Sequence, residues 1–203
     1  MKRTILSKRA LLLSLVSGFV LFVALSLFFT QINSIQDGSE LPVEPAAASS
    51  DREQGVVGLP VRITIPAINV DADIISVGKT SNGEMDVPEG PAEVAWYSPG
   101  PLPGEQGSAV MTGHYDWYNN VPAVFDDLNK VKKGDKIVIE DENEITSTFV
   151  VRTTRIYGKD DNATDVFISS GGTAHLNLIT CTGTWNSAEK TFSDRLVVFA
   201  DKE

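Results

Sequence analysis

Residues 176–199 read LNLITCTGTWNSAEKTFSDRLVVF. Leu176–Thr180 and Leu196–Phe199 are short apolar runs, and the polar Thr182-Gly183-Thr184 follows the first of them. Short β-branched and apolar runs bounded by turn residues read as strands. The pattern recurs upstream. Val61-Arg62-Ile63-Thr64-Ile65 alternates strictly before Pro66, and Ile74-Ile75-Ser76-Val77 precedes Gly78 and an Asn82-Gly83 turn. Ala109–Thr112 leads to Gly113-His114, Lys136–Glu140 follows Gly134-Asp135, and Thr148–Val151 runs toward Ile156. Only 121–130, VPAVFDDLNK, reads as a short helix. About seven or eight strands at this spacing predict an all-β domain over 61–203, a closed barrel or a sandwich.

The chain before this domain has a different character. Residues 1–9 are basic, and Ala10–Phe29 is an uncharged apolar run interrupted by Ser14, Ser17, Gly18 and Ser26. A helix over 10–30 rises ~30 Å, enough to cross a hydrocarbon core. A cleaved signal peptide shares the basic start, but its apolar region is shorter, and no small-x-small cleavage site lies just after Phe29. Four basic residues precede the span and none follows it until Arg52, which puts the N-terminus in the cytoplasm and residues 61–203 outside the cell. Residues 31–60, rich in Pro, Ala, Ser and acids, form a flexible linker.

The 203 residues carry 17 basic and 27 acidic side chains, a net charge of −10. Residues 1–60 balance to zero, so the whole excess lies in the β-domain. An acidic domain with no Lys/Arg cluster excludes nucleic acid as a partner. The single cysteine, Cys181, excludes an intrachain disulfide.

Cys181 is therefore either a buried small hydrophobe or a reactive thiol. It ends an apolar run before a polar turn, where a strand leaves the sheet. A nucleophilic thiol needs a proton-exchanging or charged partner, and the chain has two histidines. His175 lies six residues before Cys181, ~20 Å in an extended strand, and reads as an exposed loop residue. His114 also ends an apolar run before a polar loop, so neighbouring strands could bring the two rims together. Arg195 opens the last strand and shares a face with Val197 and Phe199, while Leu196 and Val198 take the other. An arginine there needs an anion or carbonyl to bind, or else pairs at the rim with Asp194 or Glu189. Tyr115, Trp117 and Trp185 are candidates for lining a groove or for ordinary rim packing. No metal site is expected, because His114 and Cys181 lack companions at ligand spacing. Glu105, Asp160, Asp161 and Asp165 read as solvated charges rather than calcium ligands.

Several stretches occur in a recognisable order: Ile63-Thr64-Ile65-Pro66-Ala67-Ile68, Thr112-Gly113-His114, Phe125-Asp126-Asp127-Leu128 with Gly134-Asp135, and Leu178-Ile179-Thr180-Cys181 with Arg195. Together they resemble the sortases, membrane-anchored cysteine transpeptidases of monoderm bacteria, over residues 60–200. The run Pro88-Glu89-Gly90, Trp96-Tyr97, Pro103-Gly104-Glu105 and Gly107-Ser108-Ala109 is most similar to class F, then to class E or D. Asn177 departs from the family's Thr-Leu-x-Thr-Cys motif, with an expected effect on local packing rather than on the nucleophile.

The resemblance implies a closed β-barrel of about eight strands with one or two short helices. It implies no cofactor, and a catalytic set of Cys181, His114 and Arg195 with Thr180, Trp185 and Tyr115 at the substrate. The implied substrate is a secreted protein bearing a C-terminal Leu-Pro-x-Thr-Gly sorting signal, cleaved between Thr and Gly through a thioacyl enzyme. The implied acceptor is an amine, from a peptidoglycan precursor or a pilin lysine. Two alternatives stay open: a pilin-polymerising enzyme, and a non-catalytic β-domain that only binds peptide. A papain-type enzyme would place Cys before His, and an L,D-transpeptidase would carry Gly-Cys-Arg at its thiol.

Overall fold

A computed structural model describes residues 57–118 and 121–203. The expected basic tail (1–9), membrane helix (10–30) and most of the linker (31–60) lie outside the described residues. The strands are β1 (Pro60–Ile65), β2 (Val70–Val77), β3 (Val94–Tyr97), β4 (Gly107–Thr112), β5 (Asp116–Trp117), β6 (Val121–Pro122), β7 (Lys136–Asp141), β8 (Thr146–Gly158), β9 (Ala174–Asn186) and β10 (Thr191–Lys202). Eight of them close into a barrel in the order β1-β2-β3-β4-β9-β10-β8-β7, and β5 pairs with β6 alone. Pairing of β7 with β1 completes the ring. Closure leaves no unpaired sheet edge, which a short-stranded β-domain otherwise has to protect. Two pairs are parallel, β2 with β3 and β4 with β9.

Strand alternation sorts side chains to the two faces of the wall. Ile63, Ile65, Ala109, Met111, Ile137, Ile139, Leu176, Leu178, Leu196 and Val198 belong to one packed cluster that fills the barrel. A second cluster of Val110, Val166, Val197 and Phe199 lies on the outward side of β4 and β10. There Val166 comes from a one-turn α-helix, Thr164–Phe167, in the β8–β9 connection. This connection therefore covers part of the outer face of the sheet, and the sheet is apolar on both sides at that point.

Three sequence expectations change. Residues 121–130 are not an α-helix. They begin as β6, and amide-to-carbonyl bonds three residues apart, Asp126 to Ala123, Leu128 to Phe125 and Lys130 to Asp127, make a chain of tight turns ending in a 3-10 turn, Leu128–Lys130. The apolar spacing is real, because Phe125 and Leu128 are fully buried, but Phe125 donates its amide to His114 instead of to a helix. Strand β3 escapes the sequence reading because Val94, Ala95 and Trp96 are all buried, leaving no alternation to detect. The one true α-helical turn, Thr164–Phe167, is too short for a periodic signal.

Candidate active site

Register aligns the candidate residues. In the parallel pair β4–β9, Thr112 stands opposite Ile179. Two residues on, His114 and Cys181 follow in step, since the Gly113 amide still donates to the Ile179 carbonyl at 3.2 Å. Two side-chain bonds hold the same crossing: Thr112 Oγ1 donates to the Ile179 carbonyl at 3.1 Å, and Thr180 Oγ1 donates to the Gly113 carbonyl at 2.8 Å. On the other flank Arg195 of β10 is the direct antiparallel partner of Cys181. His114, Cys181 and Arg195 thus follow one another across three adjacent segments, with Cys181 and Arg195 spaced by the ~4.8 Å interval between strands. Cys181 shares the outward face with Ile179 and Asn177, and Arg195 with Val197 and Phe199.

Local packing explains why the histidine follows a glycine. A Cβ on Gly113 would lie 2.6 Å from Val124 Cγ1 and 2.7 Å from Phe125 Cδ2, so any side chain there would displace the buried phenyl ring and the strand end. His114 is oriented from both sides. Its Nε2 lies 2.8 Å from the Pro88 carbonyl, which can only accept, so Nε2 carries a proton and Nδ1 is the nitrogen left to exchange one. Its ring meets Trp117 edge-on at 4.9 Å.

Arg195 is fixed by the turn it helps to close. Nη1 donates to the carbonyls of Phe192 and Asp194, both at 2.9 Å, and Nη2 to Thr191 Oγ1 at 3.0 Å. None of these partners is a carboxylate, so the expected rim pairing with Asp194 or Glu189 is not made and the positive charge is not cancelled. A guanidinium has five N–H groups, so some stay uncommitted on the row that holds the thiol.

Cys181 is half-buried. Burial pushes its thiol above the usual range, the Arg195 charge pulls it partly back, and the Asp116 carboxylate pushes it up again. At neutral pH the sulfur is mainly protonated, with a minority thiolate supported by Arg195. Beside it stands an aromatic wall: Phe192 meets Tyr115 edge-on at 5.7 Å and Trp185 at 5.2 Å. Trp185 is 52% exposed, so its ring offers a free face to a ligand.

Not every expected site residue takes its expected place. Thr180 is only 2% exposed, and its hydroxyl is engaged with Gly113. It staples β9 to the histidine-bearing chain and does not present a side chain to substrate. Cys181 does not end its strand either. β9 continues to Asn186 as a hairpin with β10, and what ends beside the thiol is β4. His175 lies within β9, with its side chain 14% exposed and bonded to Asp201, so it is no exposed loop residue; it remains six residues from the thiol. Asn177 does affect packing: it is 1% exposed and donates Nδ2 to the Val166 carbonyl at 2.6 Å, tying the β8–β9 connection to the sheet. Sequence reasoning missed Asp116 as a charge acting on the thiol and the Pro88 carbonyl as the histidine's anchor. The first was visible as an acid two residues past His114; a backbone carbonyl from a distant loop leaves no signal.

A family model described as the sortase domain matches residues 63–203. Among solved structures, the chain is 28% identical to sortase C-1 from Actinomyces oris, covering 70% of this chain and 71% of that one at a TM-score of 0.55. It is 26% identical to sortase C1 from Streptococcus agalactiae, covering 70% and 66% at a TM-score of 0.52. It is 25% identical to sortase A from Corynebacterium diphtheriae, covering 74% and 63% at a TM-score of 0.53. The chain thus spans slightly less than two thirds of the last two proteins. No curated protein sequence matches it. A family match over the whole barrel, structural likeness to sortases, and one row of histidine, cysteine and arginine agree: the chain belongs to the sortase family.

Proposed function

We propose that this protein is a membrane-anchored cysteine transpeptidase that cleaves a Leu-Pro-x-Thr-Gly-type sorting signal and joins the released protein to an amine at the cell surface. The observation that carries the reading is the row His114–Cys181–Arg195, set by the pairings β4–β9 and β9–β10. The Cys181 thiolate attacks the threonine carbonyl, and the electron pair moves to the carbonyl oxygen. Arg195 N–H groups stabilise that oxyanion, which is where fixed donors contribute most. The intermediate collapses, the C–N bond to glycine breaks, and protonated His114 gives its proton to the departing amine. The incoming amine then attacks the thioacyl carbon, His114 takes its proton, and the thiolate leaves. Burial of the thiol keeps the reactive thiolate scarce until a pair with His114 forms.

Trp185 and Tyr115 line the groove on the Arg195 side, where the Leu-Pro portion of the signal is received. An extended proline-containing peptide loses little conformational freedom on binding there. The apolar run 10–30 anchors the domain at the outer membrane face, where the secreted substrate and the amine acceptor both occur. The 88–109 run supports placement near class F.

Intact mass spectrometry after incubation with a Leu-Pro-x-Thr-Gly peptide tests this. A thioacyl adduct that needs Cys181, and an amine-dependent product that also needs His114 and Arg195, support it. Peptide binding without an adduct would establish a binding module instead. Offering a diaminopimelate- or glycine-type amine against a pilin-derived lysine peptide separates wall anchoring from pilus assembly.

A further inference from the structure

The chain that carries His114 runs on as Tyr115-Asp116-Trp117-Tyr118, and its rings stay with the reacting row. A bend at Tyr115 leads into β5, Asp116–Trp117, where the partner strand β6 sets Pro122 opposite Asp116. Tyr115 packs edge-on against Phe192, whose carbonyl accepts from Arg195. Trp117 packs edge-on against the His114 ring at 4.9 Å, and Tyr118 against Trp117 at 5.0 Å. Tyr118 is 77% exposed, so this arm of rings ends in solvent. Asp116 is half-buried, held in sequence between the ring that packs beside the Arg195 turn and the ring that packs on the imidazole.

This carboxylate is not the third member of a cysteine–histidine–acid relay. The imidazole Nε2 is taken by the Pro88 carbonyl. Among the described residues no lysine, arginine or histidine forms an ion pair with Asp116. Arg195, the positive charge at the thiol, stands on the far flank of β9. The Asp116 charge does act on the sulfur, whose thiolate it opposes. For the first half of the reaction, in which the thiolate must form, that charge works in the wrong direction. Asp116 thus hinders the nucleophile, keeps no cation of its own and stands in an aromatic arm. That composition suits an alkylammonium ion, which a carboxylate and ring faces both attract.

We propose that Asp116, with Trp117 and Tyr118, receives the acceptor of the second half-reaction as a primary ammonium ion with no carboxylate on the amine carbon. The inference rests on the transpeptidase reading of the Cys181 row. The acceptor approaches from the His114 side while the thioacyl oxygen faces Arg195, so opposite charges meet opposite flanks of the sulfur. Docked as R–NH3+, the acceptor releases one proton to water. The neutral amine attacks the thioacyl carbon and forms the C–N bond. The C–S bond breaks with its electron pair on sulfur, and His114 Nδ1 takes the second proton. Asp116 binds and orients the acceptor and takes no proton itself. A carboxylate on the amine carbon, as in diaminopimelate, would face Asp116 and be repelled. A lysine side chain and the N-terminus of a glycine peptide carry none.

The test loads the purified full-length chain with a Leu-Pro-x-Thr-Gly peptide. Intact mass then reads thioacyl formation separately from its consumption by Nα-acetyl-lysinamide, glycylglycinamide, meso-diaminopimelate or hydroxylamine, the last uncharged at neutral pH. In the wild type, the better of the first two should show a KM at least about fivefold below that of diaminopimelate. Asp116→Asn should raise the KM for that acceptor about fivefold more than for hydroxylamine, with a smaller change in kcat. Asp116→Glu should restore most of the loss. A misfolded variant loses all four nucleophiles together, and a thermal melt of each variant checks the fold. A lower KM for Nα-acetyl-lysinamide identifies a side-chain amine as the source, and a lower KM for glycylglycinamide a peptide N-terminus. An unchanged KM for both in Asp116→Asn, or an equal rise for hydroxylamine, overturns the site. Diaminopimelate used as well as the other two overturns the exclusion of the carboxylate. If the wild type forms no thioacyl enzyme, the transpeptidase reading falls and this inference with it. That result is distinct from a thioacyl enzyme whose consumption is indifferent to Asp116.

Discussion

Along β9, the inward side chains Leu176, Leu178 and Thr180 are at most 2% exposed, while the outward ones run His175, Asn177, Ile179 and Cys181 through a gradation of polar and apolar surroundings. Leu176 and Leu178 are interchangeable in kind: each fills volume in a close-packed barrel, and its loss is felt as a cavity, while Thr180 adds a staple to the Gly113 carbonyl. The outward set is not. Each residue there meets a different partner: Asp201, the Val166 carbonyl, the outer apolar patch and the Arg195 row. One backbone therefore carries stability on one face and chemistry on the other, and the two should respond separately to substitution.

Five substitutions probe that separation. The largest effect is expected for Cys181→Ala, which should remove all thioacyl adduct by intact mass while the thermal melt stays near wild type. Next, Arg195→Ala should lower the rate of thioacyl formation by about 10²–10³, the usual loss for one oxyanion donor. Binding of the same peptide, read by fluorescence, should change far less. On the inward face, Leu178→Ala should cost about 2–5 kcal/mol in a denaturant melt, with alkylation of Cys181 in the folded protein unchanged. A large change in thiol reactivity at equal folding would break the two-face account. The smallest effect is Asp116→Asn. The Asp116 carboxylate raises the thiol, so its removal should shift the pH profile of iodoacetamide alkylation to lower pH and speed the reaction at neutral pH. Arg195→Gln should move the profile the opposite way, because a positive charge beside the sulfur favours thiolate.

Much of this was legible in the sequence. The alternating strands β1 and β7 declare themselves because one face is more buried than the other. Cys181, His114 and Arg195 each showed as a polar residue at the margin of an apolar run, and the family resemblance put them in order. What stayed hidden has physical causes. β3 is buried on both faces, so its pattern is continuous. The 121–130 segment has helical apolar spacing, yet its Phe125 amide is claimed by His114, a tertiary contact that overrides local preference. Thr180 looked like a substrate contact because it adjoins the thiol. Adjacent residues in a strand face opposite ways, and that same rule assigns it inward.

The alignment of His114 with Cys181 is made by pairing across two parallel strands and not by the length of chain between them. Both hydrogen-bonded side-chain staples at the crossing join residues 67 apart in sequence, with the whole β7–β8 unit inserted between. Chain length in that excursion is therefore free to drift: added residues at the exposed β7–β8 turn, Glu142–Glu144, leave the reacting row where it is. A single residue inserted between Ile179 and Cys181 does the reverse, since a shift by one sends every following side chain to the other face. The thiol would then point into the barrel, buried and out of reach of any peptide. The exposed turns of the excursion have room for added residues, whereas the strand that carries the thiol has room for none.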